Sequence, residues 1–301
     1  MQITLIHNPS AGDDTSLDAN RLVELITNAG HHVLYRSTHD QDWPEALKAP
    51  TELVAVAGGD GTVAKVGKQL LGGAVPIAVL PMGTANNISR TLGTWGVPIE
   101  TQIQRWHSGR RVALDAGVVT GPSSTLHFLE GIGVGLVSWL ITHADDSDTL
   151  ELQPDAEAKM AHAVQLLKRG IELCPAFTLE ATLDGVDLAG EYILFEVMNT
   201  QFIGPNLRLV RRADLGDGLF DVVLVRATQR AMLRDYLEHA PADASAAREL
   251  PIRRGRQLRI VCGGFDLHID DQIEHAPRSA LVSSALELTI KPRALEFLLP
   301  G

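Results

Sequence analysis

Three short stretches of this 301-residue chain carry side chains suited to chemistry: Asn8-Pro9-Ser10, Gly58-Gly59-Asp60-Gly61-Thr62 and Gly83-Thr84-Ala85-Asn86. Each follows an apolar run and mixes glycine, small polar residues or an acid. Such a mixture is suited to a polyanion. Glycines let the main chain approach a ligand closely and reach positive φ. A helix starting just beyond them offers unpaired N–H groups and the positive end of its dipole. Asp60 repels phosphate, so its expected partner is a divalent cation, or cation-bound water, that bridges to the phosphates. The competing reading is a plain glycine-rich turn with Thr62 as helix N-cap.

The elements that must hold these turns follow from hydrophobic patterning. Residues 3–6, 32–36, 53–57 and 76–80 read as apolar strands, 17–29 and 63–71 as helices, and 43–47 as a short helix. Strands that are apolar throughout and alternate with helices indicate a parallel sheet covered on both faces. Ligands bind beyond the carboxyl ends of such strands. The three turns are therefore expected on one rim. The character changes after about residue 110, where 112–120, 126–133, 177–184, 191–199, 219–226, 257–262, 265–270 and 286–291 read as strands, interrupted mainly by a helix over 155–173. Residues 240–248 read as a surface loop or weak helix. The fold class expected is an α/β N-terminal domain over 1–115 followed by a β-rich sandwich domain over 116–291.

Composition narrows the function classes. Hydrophobic residues make up 45% of the chain, which permits a sizeable core, and the formal net charge of −11 argues against broad nucleic-acid binding. Cys174 and Cys262 are the two cysteines and lack metal spacing, which suggests a reduced, intracellular protein. No signal peptide is apparent, and no apolar run is long enough to span a membrane.

The turns, taken together, resemble the diacylglycerol kinase catalytic-domain superfamily, which includes bacterial lipid kinases and sphingosine and ceramide kinases. The matching blocks are Asn8-Pro9-Ser10-Ala11-Gly12, the 58–62 turn, Pro81-Met82-Gly83-Thr84-Ala85-Asn86 and Asp214-Leu215-Gly216-Asp217-Gly218-Leu219-Phe220-Asp221. NAD kinases and, more loosely, phosphofructokinases share the 58–62 turn. The resemblance implies a three-layer nucleotide-binding domain of that type, to which 292–301 could return, and a sandwich contributing the lipid site. It implies ATP and Mg2+ as cofactors, with nucleotide contacts at Asn8, Pro9, Ser10, Gly58, Gly59, Gly61, Thr62, Gly83, Thr84 and Asn86. Asp60 would act through Mg2+. A second, structural Mg2+ is implied at Asp214, Asp217 and the carbonyl of Leu219, against the reading of an ordinary acidic turn. Asp115 matches a family acid near the active site, against the reading of a solvent-facing turn acid.

Departures from the pattern concern catalysis. The family's Asp-Gly-Glu, whose Glu is the proposed base, aligns with Asp270-Asp271-Gln272, and an amide has no useful basicity. Glu274 shares a face with Gln272 on a regular strand, shifted by about 7 Å, while Asp271 faces the other way. On the phosphate side, Asp13-Asp14 stand where a basic residue is common, Asn87 replaces a carboxylate, and Ala64-Lys65 replace Asn-Glu. The activity implied is transfer of the γ-phosphoryl group of ATP to a lipid hydroxyl, diacylglycerol-like. The lipid would be met peripherally at a membrane surface, from the cytoplasmic side. A catalytically weak or inactive nucleotide- and lipid-binding regulator on the same scaffold is the alternative, and NAD kinase a second. The acceptor's identity and the oligomeric state, a homodimer included, stay open.

Two further features have bland readings. Arg208, Arg211 and Arg212, and Arg253, Arg254, Arg256 and Arg259, form clusters that could meet anionic lipid or be plain surface charge. Trp139 with Leu136, Val137, Leu140 and Ile141 could line an acyl pocket but is more simply core.

Overall fold

The computed structural model describes residues 1–12, 17–122, 124–145, 155–239, 249–262, 265–274 and 284–301. Asp13, Asp14 and the 240–248 segment lie outside the described residues. The chain divides into two units. The first comprises Met1–Ala116, Leu215–Asp217 and Pro292–Gly301; the second comprises Gly117–Asp214 and Gly218–Lys291.

The first unit contains β1 (Gln2–His7), α1 (Ala19–Asn28), β2 (His32–Ser37), a 3-10 helix (Trp43–Lys48), β3 (Leu53–Gly58), α2 (Asp60–Gln69), β4 (Ile77–Pro81), α3 (Asn87–Leu92) and α4 (Ile99–Gln104). The strands pair in parallel in the order β2-β1-β3-β4, and Phe297 of the returning segment pairs in parallel beside Ile77. Every residue of β3 is buried, as expected of a strand covered on both faces. Asp18 caps α1 by accepting from Arg21 N, and Leu22 and Ile26, one turn apart, bury its inner stripe. These side chains join Ile3, Leu5, Leu53 and Leu80 in one core.

The chain then continues through β5 (Arg110–Thr120), β6 (Thr125–Phe128), β7 (Gly131–Gly135), α5 (Leu136–Asp145), α6 (Ala156–Leu173), β8 (Phe177–Leu183), β9 (Val186–Asp187), β10 (Gly190–Met198), β11 (Phe202–Ile203), β12 (Leu207–Arg208), β13 (Phe220–Arg226), α7 (Arg230–His239), β14 (Ile252–Gly255), β15 (Gln257–Cys262), β16 (Leu267–Ile269), β17 (Gln272–Glu274) and β18 (Ser284–Leu299). In the second unit, antiparallel pairing runs β17-β16-β7-β10-β13-β14 and β9-β8-β15-β18. Side-chain alternation gives the first of these arrays two faces. Phe195, Val197, Phe220 and Val222 enter a core shared with Leu179, Leu258 and Leu288 of the other strands. Leu194, Met198, Val223 and Val225 pack instead with Leu136, Leu140, Leu167 and Leu233 of α5, α6 and α7.

Several expectations need correction. The 126–133 strand is two strands, because the N–H groups of Leu129 and Glu130 leave the ladder and donate to the Asp270 carboxylate. Residues 136–145, to which the sequence reading assigned no element, form a helix after Gly135 at φ +95°. The helix after the 58–62 turn begins at Asp60, three residues earlier than its apolar pattern, because Gly59 is the extended N-cap. The last strand runs to Leu299, past Pro292 and past Arg293 at φ +50°. The stripe around Trp139 packs in the core, as its bland reading had it.

Gly117 pairs with Phe128, and a Cβ at 117 would lie 2.1 Å from the Phe128 ring. Phe128 is fully buried and stacks on Phe220 with centroids 5.7 Å apart. Gly117→Ala is expected to cost about 1–3 kcal/mol through overpacking, read as a lower guanidinium midpoint at unchanged m-value.

Candidate functional site

The carboxyl ends of β1, β3 and β4 are neighbours, so the three sequence-selected turns lie on one rim of the first unit. Their main chains are tied directly. Asn8 N donates to Ala57 O at 2.9 Å and Met82 N to Gly58 O at 3.0 Å. Asn8 Nδ2 donates to Thr62 Oγ1 at 3.2 Å, while its Oδ1 accepts from Ser10 N at 3.1 Å. Asn86 is buried and left-handed at φ +53°; its Oδ1 accepts from Gly83 N at 2.9 Å and its Nδ2 donates to Gly83 O. Pro9, Ser10 and Thr84 are exposed on this rim.

The glycines here serve proximity rather than unusual torsion. Gly58, Gly59 and Gly61 all lack positive φ, contrary to the expectation from their type. A Cβ on Gly83 would lie 2.4 Å from Gly59 Cα, and one on Gly58 would lie 2.7 Å from Thr62 Cβ. Two backbone turns therefore touch where side chains have no room. Thr62 lies inside the first turn of α2, not at its N-cap.

Asp60 does more than its sequence context suggests. Its Oδ2 accepts from Asn87 N at 2.8 Å and its Oδ1 from Ile88 N at 2.9 Å, so it braces the start of α3 from the start of α2. A carboxylate offers about four lone-pair sites, so bracing and a cation-bound water are compatible on one side chain. Lys65 is exposed, as a solvated helix residue would be. Arg90 donates from Nε to Ala85 O at 3.0 Å and lies over the half-exposed Trp95 ring at 4.3 Å, next to the third turn.

Asp115 is 1% exposed, which overturns the solvent-facing alternative. Its Oδ1 accepts from Arg293 N at 2.6 Å, and its own N–H donates to Leu215 O at 2.7 Å. It thereby joins β5, the chain-end segment and the 215–217 loop. Among the implied metal ligands, Asp217 groups with the first unit, and Asp214 and Leu219 with the second. Carboxylate and main-chain carbonyl oxygens are hard donors of the kind magnesium takes together with several waters. Among the described residues, no three His, Cys, Asp or Glu side chains gather as a metal cluster.

In the second unit, Asp270 and Asp271 form the two-residue turn of the β16–β17 hairpin, whose register pairs Ile269 with Gln272. The regular-strand geometry expected for Asp271 therefore does not hold, because the residue sits in a turn. Asp271, Gln272 and Glu274 are all exposed, and Gln272 Nε2 donates to Asp271 Oδ1 at 3.1 Å. Asp270 is buried and left-handed at φ +51°; its Oδ1 accepts from Leu129 N at 3.0 Å and Glu130 N at 2.8 Å.

Behind this turn lies a pair the sequence reading missed. Glu196 and His268 are both 0% exposed, with Oε2 and Nε2 2.9 Å apart, and His268 Nδ1 lies 2.9 Å from Asp270 O. Burial alone would lower the imidazole, but the Glu196 charge, their hydrogen bond and Asp270 outweigh it and hold His268 above its ordinary value. Burial raises the Glu196 carboxyl, with His268 opposing. The available signal was a lone acid in Tyr-Ile-Leu-Phe-Glu-Val-Met and a lone imidazole in Leu-His-Ile, each inside an apolar strand. The arginine clusters also meet: Arg211, Arg212 and Arg254 line one cavity of about 290 Å³, with Arg254 Nε bonded to Asp221 Oδ1 at 3.0 Å.

Comparison with known proteins places these features. Residues 2–119 match the diacylglycerol kinase catalytic domain. A diacylglycerol kinase of Bacillus subtilis (strain 168) is 26% identical over 247 residues, 78% of this chain and 76% of that protein. These findings support the diacylglycerol kinase catalytic-domain superfamily, as the sequence blocks imply. The crystal structure of a diacylglycerol kinase from Bacillus anthracis str. Sterne superposes with a TM-score of 0.67 at 20% identity, covering all of this chain and 97% of the other. Yeast NADH kinase, solved with NADH, superposes with a TM-score of 0.51 at 11% identity, covering all of this chain and 83% of the other. The two structures establish the fold class: a parallel α/β part followed by a strand-rich part.

The buried pair sets a pH dependence of stability. Both groups hold protons more tightly folded than unfolded. The stability His268 contributes is therefore complete below 6.5, its unfolded value, and is lost as pH rises through its raised folded value. In Glu196→Gln the main raising cause is gone and burial lowers His268, so stability is expected to fall on the acid side of 6.5 instead. Guanidinium unfolding of both proteins from about pH 5 to about pH 9 reads this reversal of slope.

Proposed function

We propose that this chain, placed in the diacylglycerol kinase catalytic-domain superfamily by its residues 2–119, is a lipid kinase that transfers the γ-phosphoryl group of ATP to a lipid hydroxyl. The observation that carries this reading is the contact of Gly59 with Gly83, where two main-chain turns come together without side chains. Such a surface brings backbone N–H groups and the start of α2 to a polyphosphate. Asn8 and Asn86, whose amides already hold neighbouring main chain, fix the shape of the cradle rather than adapt to each ligand. Ser10, Thr62 and Thr84 add hydroxyls along the same rim.

Phosphoryl transfer asks a protein mainly for positioning and charge stabilisation. Asp60 positions: it couples the start of α2 to the start of α3, so both phosphate-facing turns move as one body. Asp60 would anchor a Mg2+ ion whose charge would neutralise the phosphates, and Asp214, Asp217 and the Leu219 carbonyl would hold a second ion. On the acceptor side, the exposed tip Asp271-Gln272 and Glu274 offer the available groups, and Asp271 or Glu274 takes the hydroxyl proton. The lipid is met at a membrane surface from the cytoplasmic side. Among the described residues, no helix is long and apolar enough to cross a bilayer.

A second reading is favoured by one residue. Gln272, where the resemblance expects a base, suits a nucleotide- and lipid-binding regulator that turns over little or not at all. NAD kinase is the remaining reading, resting on the shared turn and fold.

Purified protein with Mg-ATP and diacylglycerol in mixed micelles is expected to yield phosphorylated lipid, and none from NAD. Asp60→Ala should lower kcat by about 10²-fold or more, the scale set by loss of placement and preorganised charge. Of Asp271→Asn and Glu274→Gln, the one that removes the base should cost about 10²-fold or more in kcat. Activity that appears only in Gln272→Glu would instead make the natural protein a binder.

A further inference from the structure

Glu196, Gly133 and His268 occupy one row across three strands. The register pairs Glu196 of β10 with Gly133 of β7, and Gly133 with His268 of β16. The outer two residues are two strands apart, roughly 10 Å by the usual strand spacing. Their side chains can meet only over the central position. A Cβ on Gly133 would lie 2.0 Å from Glu196 Oε2, the oxygen that faces His268. The glycine is thus the space in which the ion pair forms. The pair lies on the face of the array turned towards α5, where Ser138 Oγ donates to Gly133 O at 3.1 Å.

The pair leads directly to the hairpin turn. His268 Nδ1 meets Asp270 O, and Asp270 N donates to Gly131 O at 2.8 Å. The Asp270 carboxylate takes the N–H groups of Leu129 and Glu130, and Asn199 Nδ2 donates to Leu129 O at 3.0 Å. Asp270 holds its left-handed φ of +51°, a conformation that costs a non-glycine residue energy and persists where its surroundings determine it. A charged pair with no exposure is weak support for stability as such, since apolar residues of similar volume often serve as well or better. Its geometry supports a different role.

We propose that Glu196 and His268 are positioning residues. Their contact over Gly133 sets the placement of the Asp270-Asp271-Gln272 turn, which presents the acceptor-side groups for phosphoryl transfer. His268, with no exposure, does not itself touch a lipid. This role rests on the lipid-kinase reading, whereas the control of the turn by the pair does not.

The test uses full-length protein, Mg-ATP and diacylglycerol in mixed micelles, and compares wild type with Glu196→Gln and Gly133→Ala. The first removes one charge. The second keeps both charges and crowds them apart, which leaves a folded variant to read should Glu196→Gln not fold. Backbone hydrogen exchange is followed in parallel. In both variants exchange is expected to quicken selectively at 129–131 and 270–272, and kcat to fall about tenfold or more with KM for ATP within about twofold, as a misplacement of roughly an ångström predicts. Normal kcat in a folded variant whose turn exchanges faster would overturn the catalytic part. Unchanged or uniformly quickened exchange would overturn the control of the turn. Absence of lipid phosphorylation by wild type would sink the kinase reading alone, since the exchange result still decides whether the pair governs the turn.

Discussion

The nucleotide side of this protein depends on two α-carbons meeting. Gly59 follows β3 and Gly83 follows β4, and a single added methyl at 83 would sit 2.4 Å from the opposite α-carbon. Parallel pairing of β3 with β4 brings both turns to the same height. Asp60 then reaches from the first residue of α2 to the amides that open α3, so the helix dipoles on either side of the contact share one acid. Asn86 completes the arrangement by folding back on Gly83. A surface built this way has its polar groups fixed before any ligand arrives. That is the condition under which main-chain amides stabilise charge without reorganising.

Much of this was legible in the amino-acid sequence because it is local. Apolar strands that break on glycine need no long-range information, and their alternation with helices places their ends on one side of a sheet. The torsions were misread. Glycine's reputation for positive φ suggested left-handed turns, whereas Gly58 and Gly59 serve by lack of bulk, and the residue that does turn left-handed is Asn86. The bracing role of Asp60 was missed because its partners, Asn87 and Ile88, lie 27 and 28 residues away and are main-chain groups of unremarkable residues.

The second unit was less legible, for related physical reasons. Alternation marks a strand but not its neighbours, so nothing in 191–199 announces that Glu196 will lie two strands from His268. Asp270 ends one strand, turns a hairpin and interrupts another strand 139 to 141 residues earlier in the chain. The break between β6 and β7 is therefore invisible in their own sequence. Helix α5 was missed because an apolar run of this length suits a buried strand or a buried helix equally, and Gly135 decides between them. The pairing of β13 with β14, distant in the sequence, brings Asp221 beside Arg254.

The first unit is not a continuous piece of chain. Leu215–Asp217 and Pro292–Gly301 belong to it, Phe297 extends its sheet beside Ile77, and Ala294 O accepts from Gly72 N at 2.7 Å. During synthesis, the β4 side of that sheet, which ends at Pro81, must wait for the chain to reach Phe297 before its last partner exists. Until then it presents an unpaired, apolar edge of the kind that invites wrong association. The order of translation thus obliges the cell to shelter a half-built nucleotide fold, or obliges the intervening unit to mature quickly enough to deliver the missing strand.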